Sequence, residues 1–241
     1  MDIVQQHFIE HLQDLGVSLS KQQLEQFETY YALLVEWNEK MNLTGITERE
    51  AVYEKHFYDS LTLVKAVSFN EHSSLADIGS GAGFPSVPLA IVFPHLQVTI
   101  IDALAKRIGF LKEVSSQLGL SQVNCLHSRA EDAARMKEHR DHYDVVTARA
   151  VARLAVLNEF CLPFVRTGGL FIAMKGSDIE VELEESRYSA KKLNGKIDDV
   201  RRLTLPAEGA ERHLIIVSKV SSTPPLYPRK PGIPLKSPLL K

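Results

Sequence analysis

Cysteine is scarce in this chain of 241 residues: Cys125 and Cys161 stand alone, and no Cys-x-x-Cys pattern surrounds either. That excludes a disulfide framework and offers no zinc-ligand spacing, so a reducing, cytoplasmic setting is expected. No metal site is expected either. His139 and His142 have i, i+3 spacing but no third ligand nearby, which reads as a solvated helix end or loop. The start of the chain lacks the basic and apolar segments of a secretory signal, and no apolar run is long enough to cross a bilayer. An excess of one charge is lacking too. The formal net charge is -2, so no global attraction to nucleic acid or membrane follows. Only the distribution is uneven: Arg212, Lys219, Arg229, Lys230, Lys236 and Lys241 follow Glu211, and no acidic residue does. What is present is the composition of a globular protein, 44% hydrophobic and 24% charged, with ample apolar material for a core.

Periodicity divides the chain. Residues 1–70 read as a helical extension, in which Leu24, Phe27, Tyr31, Leu34, Val35 and Asn38 recur at helical spacing. Ser20 stands at an N-cap position, and Thr47 with Glu50 forms a capping-box pattern for a later helix. The aromatic stripe Phe27, Tyr30, Tyr31 and Trp37 is expected to pack onto the main domain. From Leu75 the pattern alternates between β and α. Strands are predicted at the runs ending in Ile78 and Asp102, then at Val123–His127, Tyr143–Ala148, Gly169–Met174, Val200–Leu205 and His213–Lys219. This predicts an α/β fold with a doubly wound, mainly parallel sheet over residues 71–220. The short Leu205–Glu211 loop predicts a closing antiparallel hairpin. Residues 221–241 hold Pro224, Pro225, Pro228, Pro231, Pro234 and Pro238, a spacing expected to forbid helix and keep a basic tail extended.

The stretch from Leu75 to Asp102 carries the chemistry. A strand ends at Asp77-Ile78, Gly79, Gly81 and Gly83 alternate behind it, a helix begins near Pro85, and the next strand closes on Asp102. Glycines let backbone approach a ligand, amides at a helix start offer donors, and a strand-end carboxylate can accept both hydroxyls of a ribose. A dinucleotide fingerprint would place its third glycine at position 84, which is Phe84. The observed Gly-x-Gly-x-Gly preceded by Asp77 instead resembles the first motif of S-adenosylmethionine-dependent methyltransferases. That cofactor's methionine end carries an ammonium, which suits Asp77, and a carboxylate, which suits the amides.

Further candidates lie where later strands end. Ala130-Glu131-Asp132 follows the third strand, where a small residue and an acceptor can read adenine. Arg149 sits just past the fourth strand, so it should face the site. Methyltransferases of exocyclic base amines often carry Asn/Asp-Pro-Pro-Tyr/Phe there. A guanidinium only donates, which suits a carboxylate, a phosphate or a purine carbonyl. No cysteine follows a proline, which argues against pyrimidine-C5 chemistry, and Cys161 reads as core.

Over nearly its whole length the chain resembles the bacterial small-subunit (16S) rRNA guanine-N7 methyltransferases, the RsmG or glucose-inhibited division B family. The likeness runs through Trp37-Asn38, Asn42-Leu43-Thr44, His56-Phe57, Asp59-Ser60-Leu61 and Asp77 to Pro85. It continues through Ser128-Arg-Ala-Glu131, Ala148-Arg-Ala150, Met174-Lys-Gly176 and Arg229 to Pro234. One departure is Ser86, where the family usually has Gly. The resemblance implies a class I, Rossmann-like methyltransferase fold with S-adenosyl-L-methionine as cofactor. It also implies cofactor contacts at Gly79, Phe84, Ala130, Glu131 and Arg149, beside Gly81 and Asp102 read from the motif. Partners would be 16S rRNA, the small ribosomal subunit or an assembly intermediate. RNA contact is expected among Lys106, Arg107, Arg149, Arg153, Lys175, Arg229, Lys230 and Lys236. No general base is expected, because guanine N7 bears a lone pair and no proton. Other readings are a methyltransferase of another RNA, a protein or a small molecule, a nicotinamide-dependent oxidoreductase, and a non-catalytic rRNA-binding assembly protein.

Overall fold

The structure, a computed structural model, describes residues 2–241. Helix α1 (Ile3–Asp14) is capped by the Asp2 carboxylate, which accepts from the Gln5 amide. Helix α2 (Lys21–Met41) starts where the sequence places it, with a reciprocal capping box between Ser20 and Gln23. The next cap differs from the expected Thr47–Glu50 box. Glu48 caps α3 (Arg49–Val52), its carboxylate accepting from the Glu50 and Ala51 amides. The Thr47 carbonyl instead accepts from the Tyr31 hydroxyl. The helical path continues as a π-helix, Tyr53–Tyr58, then α4 (Asp59–Leu61) and a 3₁₀ turn, Thr62–Lys65.

Strands β1 (Ser74–Ile78), β2 (Gln97–Asp102), β3 (Val123–His127), β4 (Tyr143–Arg149), β5 (Val165–Lys175), β6 (Gly195–Thr204) and β7 (Glu211–Lys219) form one sheet. Its order is β3-β2-β1-β4-β5-β7-β6. The first five strands run parallel, and β6 and β7 are the expected antiparallel hairpin. Chain direction across the sheet reverses between β1 and β4, so the crevice beyond their carboxyl ends is the place for a ligand. Helices α5 (Ser86–Val92) and α6 (Ala105–Gln117) share one hydrophobic core with the N-terminal helices. Helices α7 (Ala130–Ala133), α8 (Leu154–Cys161) and α9 (Glu180–Lys192) belong with the other face, where Cys161 is fully buried as expected.

The N-terminal aromatic residues meet the glycine turn itself. Phe57 is fully buried and lies within 5.0–5.3 Å of the ring centres of Phe27, Tyr30 and Tyr53. Tyr30 is 5.4 Å from Phe84 and donates its hydroxyl to the Ala82 carbonyl at 2.5 Å. The tail departs from its expected form. It folds back on the domain and contains one helical turn, α10 (Ile233–Lys236). The proline spacing permits it because Pro234 falls in the first turn, where a missing amide proton costs nothing, and Gly232 precedes it at φ +83°.

The Tyr30 bond makes a prediction. Tyr30→Phe keeps the ring packing but leaves the Ala82 carbonyl buried and unmatched, which should cost about 1–3 kcal/mol in chemical denaturation. An unchanged midpoint and slope would show that the hydroxyl does not bolt the turn.

Candidate active site

The turn after β1 is built by glycine geometry. Gly79 sits at φ +73°, and a Cβ there would lie 2.8 Å from Val151 Cγ2. Gly83 sits at φ +101°, and a Cβ would meet the Tyr30 hydroxyl at 2.6 Å. Side chains at either position would therefore push the turn off its floor. Asp102, buried at the end of β2, reaches across to the turn. Its Oδ2 accepts from the Gly81 amide at 3.2 Å and its Oδ1 from the Leu104 amide at 2.9 Å. The Arg107 guanidinium stands 3.5 Å away. Gly81 and Asp102 are thus brought together.

Beneath the turn lies Asp77, with no solvent exposure. Its Oδ2 accepts from the Ser86 amide at 3.3 Å, while Oδ1 has no partner among the described residues. Burial pushes this carboxyl up to about 6, against hydrogen bonds from Ser86 and Ser80 and the more distant charge of Arg149. A buried carboxylate with a bare oxygen fits a cation, and the ammonium of a methionine-like group has the complementary charge. Ser86, the residue that departs from the expected Gly, supplies the amide that holds the other oxygen.

Two cavities lie at the carboxyl ends of the parallel strands. One, of about 160 Å³, has Gly79, Ile101, Ala130, Glu131 and Val151 in its lining. The Glu131 carboxylate is buried and its Oε1 accepts from the Gly232 amide at 2.9 Å. The other, of about 320 Å³, is lined by His56, Asp59, Arg149, Met174, Lys175 and Arg212 among others. Here Arg149 Nη1 donates to Asp59 Oδ2 at 2.8 Å and to the Lys55 carbonyl at 2.9 Å. Arg212 Nε donates to Asp59 Oδ1 at 3.1 Å, so one buried carboxylate holds two guanidinium groups. Phe84 backs the second cavity, whose lining residues His56 and Arg149 pack on its ring. The His56 ring stacks on it at 4.5 Å, and the Arg149 guanidinium lies 5.0 Å from its centre. Asn38 Oδ1 accepts from the Thr44 amide at 2.8 Å, and the Thr44 hydroxyl is 2.8 Å from His56 Nε2. Burial first, and then Arg149, lower His56 to about 3. The imidazole is therefore neutral at physiological pH and unable to deliver a proton.

The GidB family, described as rRNA small subunit methyltransferase G, matches residues 23–215. The chain belongs to this family. A ribosomal RNA small subunit methyltransferase G of Halalkalibacterium halodurans is 56% identical, over 96% of this chain and 98% of the relative. One of Bacillus subtilis is 50% identical, over 97% and 98%. Among solved structures, M. jannaschii TYW2 in complex with AdoMet has a TM-score of 0.50 at 19% identity, covering 62% of this chain and 70% of that one. TrmN from Thermus thermophilus has a TM-score of 0.52 at 15% identity, over 70% and 53%. These neighbours share the Rossmann-like methyltransferase fold. The cofactor is S-adenosyl-L-methionine, and the enzyme is an rRNA methyltransferase.

The basic residues marked in the sequence scatter. Lys175 is half-buried and pairs with Glu182 at 2.5 Å, while its ammonium also donates to the Ala152 carbonyl. Arg153 pairs with Glu185 at 2.6 Å, and Arg229 pairs with buried Glu159 at 2.7 Å. Lys106, Lys230 and Lys236 are exposed, with no ion pair among the described residues. Among the described residues no His, Cys, Asp and Glu cluster suits a metal. Sequence reasoning gave no role to His56, Asp59 or Arg212. His56 lies in the π-helix, a frequent mark of functional sites that no local sequence pattern announces, while Asp59 and Arg212 lie on α4 and β7 and meet only in the fold.

Asp77 sets a pH dependence with a definite sign. Its native pKa lies above the unfolded value of 3.8, so the folded state holds the proton more tightly. The stabilising proton is present below pH 4 and is lost as pH rises through 6. Relative to Asp77→Asn, the wild type should lose about 2 kcal/mol of unfolding free energy between pH 4 and pH 7. Denaturation curves of both proteins across that range measure it, and parallel curves would contradict a buried, titrating Asp77.

Proposed function

We propose that the protein methylates N7 of one guanine in 16S rRNA, in the cytoplasm, with the small ribosomal subunit or its precursor as the working substrate. The observation that carries this reading is the pair of cavities at the carboxyl ends of the parallel strands. One adjoins the glycine turn with its orphaned carboxylate oxygen, and the other is walled by paired guanidinium groups. When bound, the cofactor supplies a sulfonium methyl group.

The residues divide the work as follows. Asp77 Oδ1 takes the ammonium, and the amides of the turn around Gly79 and Gly81 face the carboxylate. Asp102 accepts from the ribose hydroxyls, and Ala130 and Glu131 border the adenine. Phe84 backs the His56 and Arg149 wall of the second cavity. On the acceptor side, guanine presents N7 and O6 along one edge, both acceptors. A guanidinium against N7 would occupy the attacking lone pair, so Arg149 donates to O6. Asp59 fixes Arg149 for that role through the bond at 2.8 Å. N7 has no proton to lose, and neutral His56 has none to give. Rate therefore comes from collinear placement of nucleophile, methyl and leaving sulfur. With most cations of the site already paired and a net charge of -2, affinity for arbitrary RNA is low, and a folded RNA surface is needed for recognition.

Methyl transfer from labelled cofactor to unmodified small subunits and to naked 16S rRNA tests this, with the label mapped by mass and by chain cleavage specific to 7-methylguanosine. The expected result is label at one guanine N7, with the particle the better substrate. Label elsewhere, or binding without transfer, would overturn the assignment. Asp102→Ala should weaken cofactor binding at least tenfold, about 1.4 kcal/mol, with the far-ultraviolet circular dichroism unchanged. Retained affinity would move the ribose away from Asp102.

A further inference from the structure

The C-terminal segment is held to the domain by polar anchors, several of them buried, before it reaches the cavity beside Gly79. Lys219 is buried with its ammonium 2.9 Å from Asp141. Arg140 donates to the carbonyls of Thr223 and Tyr227 at 2.9 and 3.0 Å, and Arg135 to that of Pro228 at 2.5 Å. Arg229 then grips Glu159, a buried carboxylate, through its backbone amide at 2.7 Å and its guanidinium at 2.7–3.1 Å. Only after these anchors does the chain reach the cavity, once through a lining residue and once directly. The Gly232 amide donates to Glu131, and the turn of α10 brings Leu235 into the cavity lining with Ile78, Ile101, Ala130 and Val151.

We infer that Gly232 and Leu235 form the outer wall of the adenine end of the cofactor pocket, so that the tail completes a binding site the sheet leaves open. This rests on the reading that the cofactor lies at the glycine turn. Leu235 is 58% exposed although the segment around it is anchored on both the Glu159 and Glu131 sides. A large apolar side chain held at a cavity mouth gains a partner when a purine face enters, because both surfaces leave water. Glu131, one of the residues expected to meet the cofactor, has its carboxylate oriented by a tail amide, so the tail also fixes an adenine-side acceptor. The basic character of the segment lies on Lys230 and Lys236, which are exposed and take no part in this contact.

Calorimetric titration of the full chain with S-adenosylhomocysteine tests the inference. Leu235→Ala should raise Kd about three- to tenfold and Leu235→Asp more than tenfold, as expected for losing one apolar contact and then opposing it with a charge. The melting temperature of the ligand-free variants should match wild type, since Leu235 is mostly exposed. 5′-Methylthioadenosine, which keeps the adenine end and lacks the amino acid, should lose the same factor. Hydrogen exchange at residues 232–236 should slow when ligand is added. Wild-type affinity in Leu235→Asp together with unchanged exchange, while Asp102→Ala loses binding, would overturn the wall and leave the cofactor site standing. Wild-type affinity in Asp102→Ala would remove the site reading, and the wall with it.

Discussion

A carboxylate sealed from water with one oxygen unmatched governs this structure. Asp77 sits under the glycine turn at the centre of the sheet, between β2 and β4 in register with Ile100 and Thr147. Charge there is costly, and the molecule offsets it only in part, through Ser86 and Ser80. The surroundings keep it dry. Helices of the first 70 residues deliver Tyr30 and Phe57 to the underside of the turn, and the Tyr30 hydroxyl ties down Ala82. The helical segment and the sheet therefore share the floor of one site and one core.

The same aromatic cluster backs the cavity that holds His56 and Arg149. Phe84 carries His56 stacked on it and the Arg149 guanidinium over it. Arg149 and Arg212 converge on the single carboxylate of Asp59, which would be strongly destabilising to leave unpaired at its depth. Such a network sets donor positions within narrow limits. It suits a reaction in which alignment is the main contribution and no proton moves.

Local pattern made the central fold legible. The run from Leu75 to Asp102 announces strand, turn, helix and strand, because burial on both faces writes apolar runs into β1 and β2, and β3, a less buried strand, also lies at the residues expected. Ser20 was legible as a cap for the same local reason. Other features depend on distant partners. The contacts from Asp59 to Arg149 and Arg212 span 90 and 153 residues, and nothing local at any of the three positions records them. The cap falls at Glu48 rather than Thr47 because the helix starts one residue later and the Glu48 carboxylate accepts from the Glu50 and Ala51 amides. The tail was read from proline spacing alone. Its path is set by Glu159 and Glu131, each more than 60 residues away in sequence. Arg229 and Lys175 looked like free cations because their acids, Glu159 and Glu182, lie on other elements.

If the bare oxygen of Asp77 takes the cofactor's ammonium, binding must expel the proton that burial keeps on this carboxyl. Calorimetry with S-adenosylhomocysteine at pH 6, in buffers of different ionisation enthalpy, counts that proton directly. With the free carboxyl at about 6, release of about half a proton is expected from the wild type, falling to none above pH 8 and absent in Asp77→Asn. A wild type that binds at pH 6 without releasing a proton, or an Asp77→Asn protein that releases the same number, would contradict it.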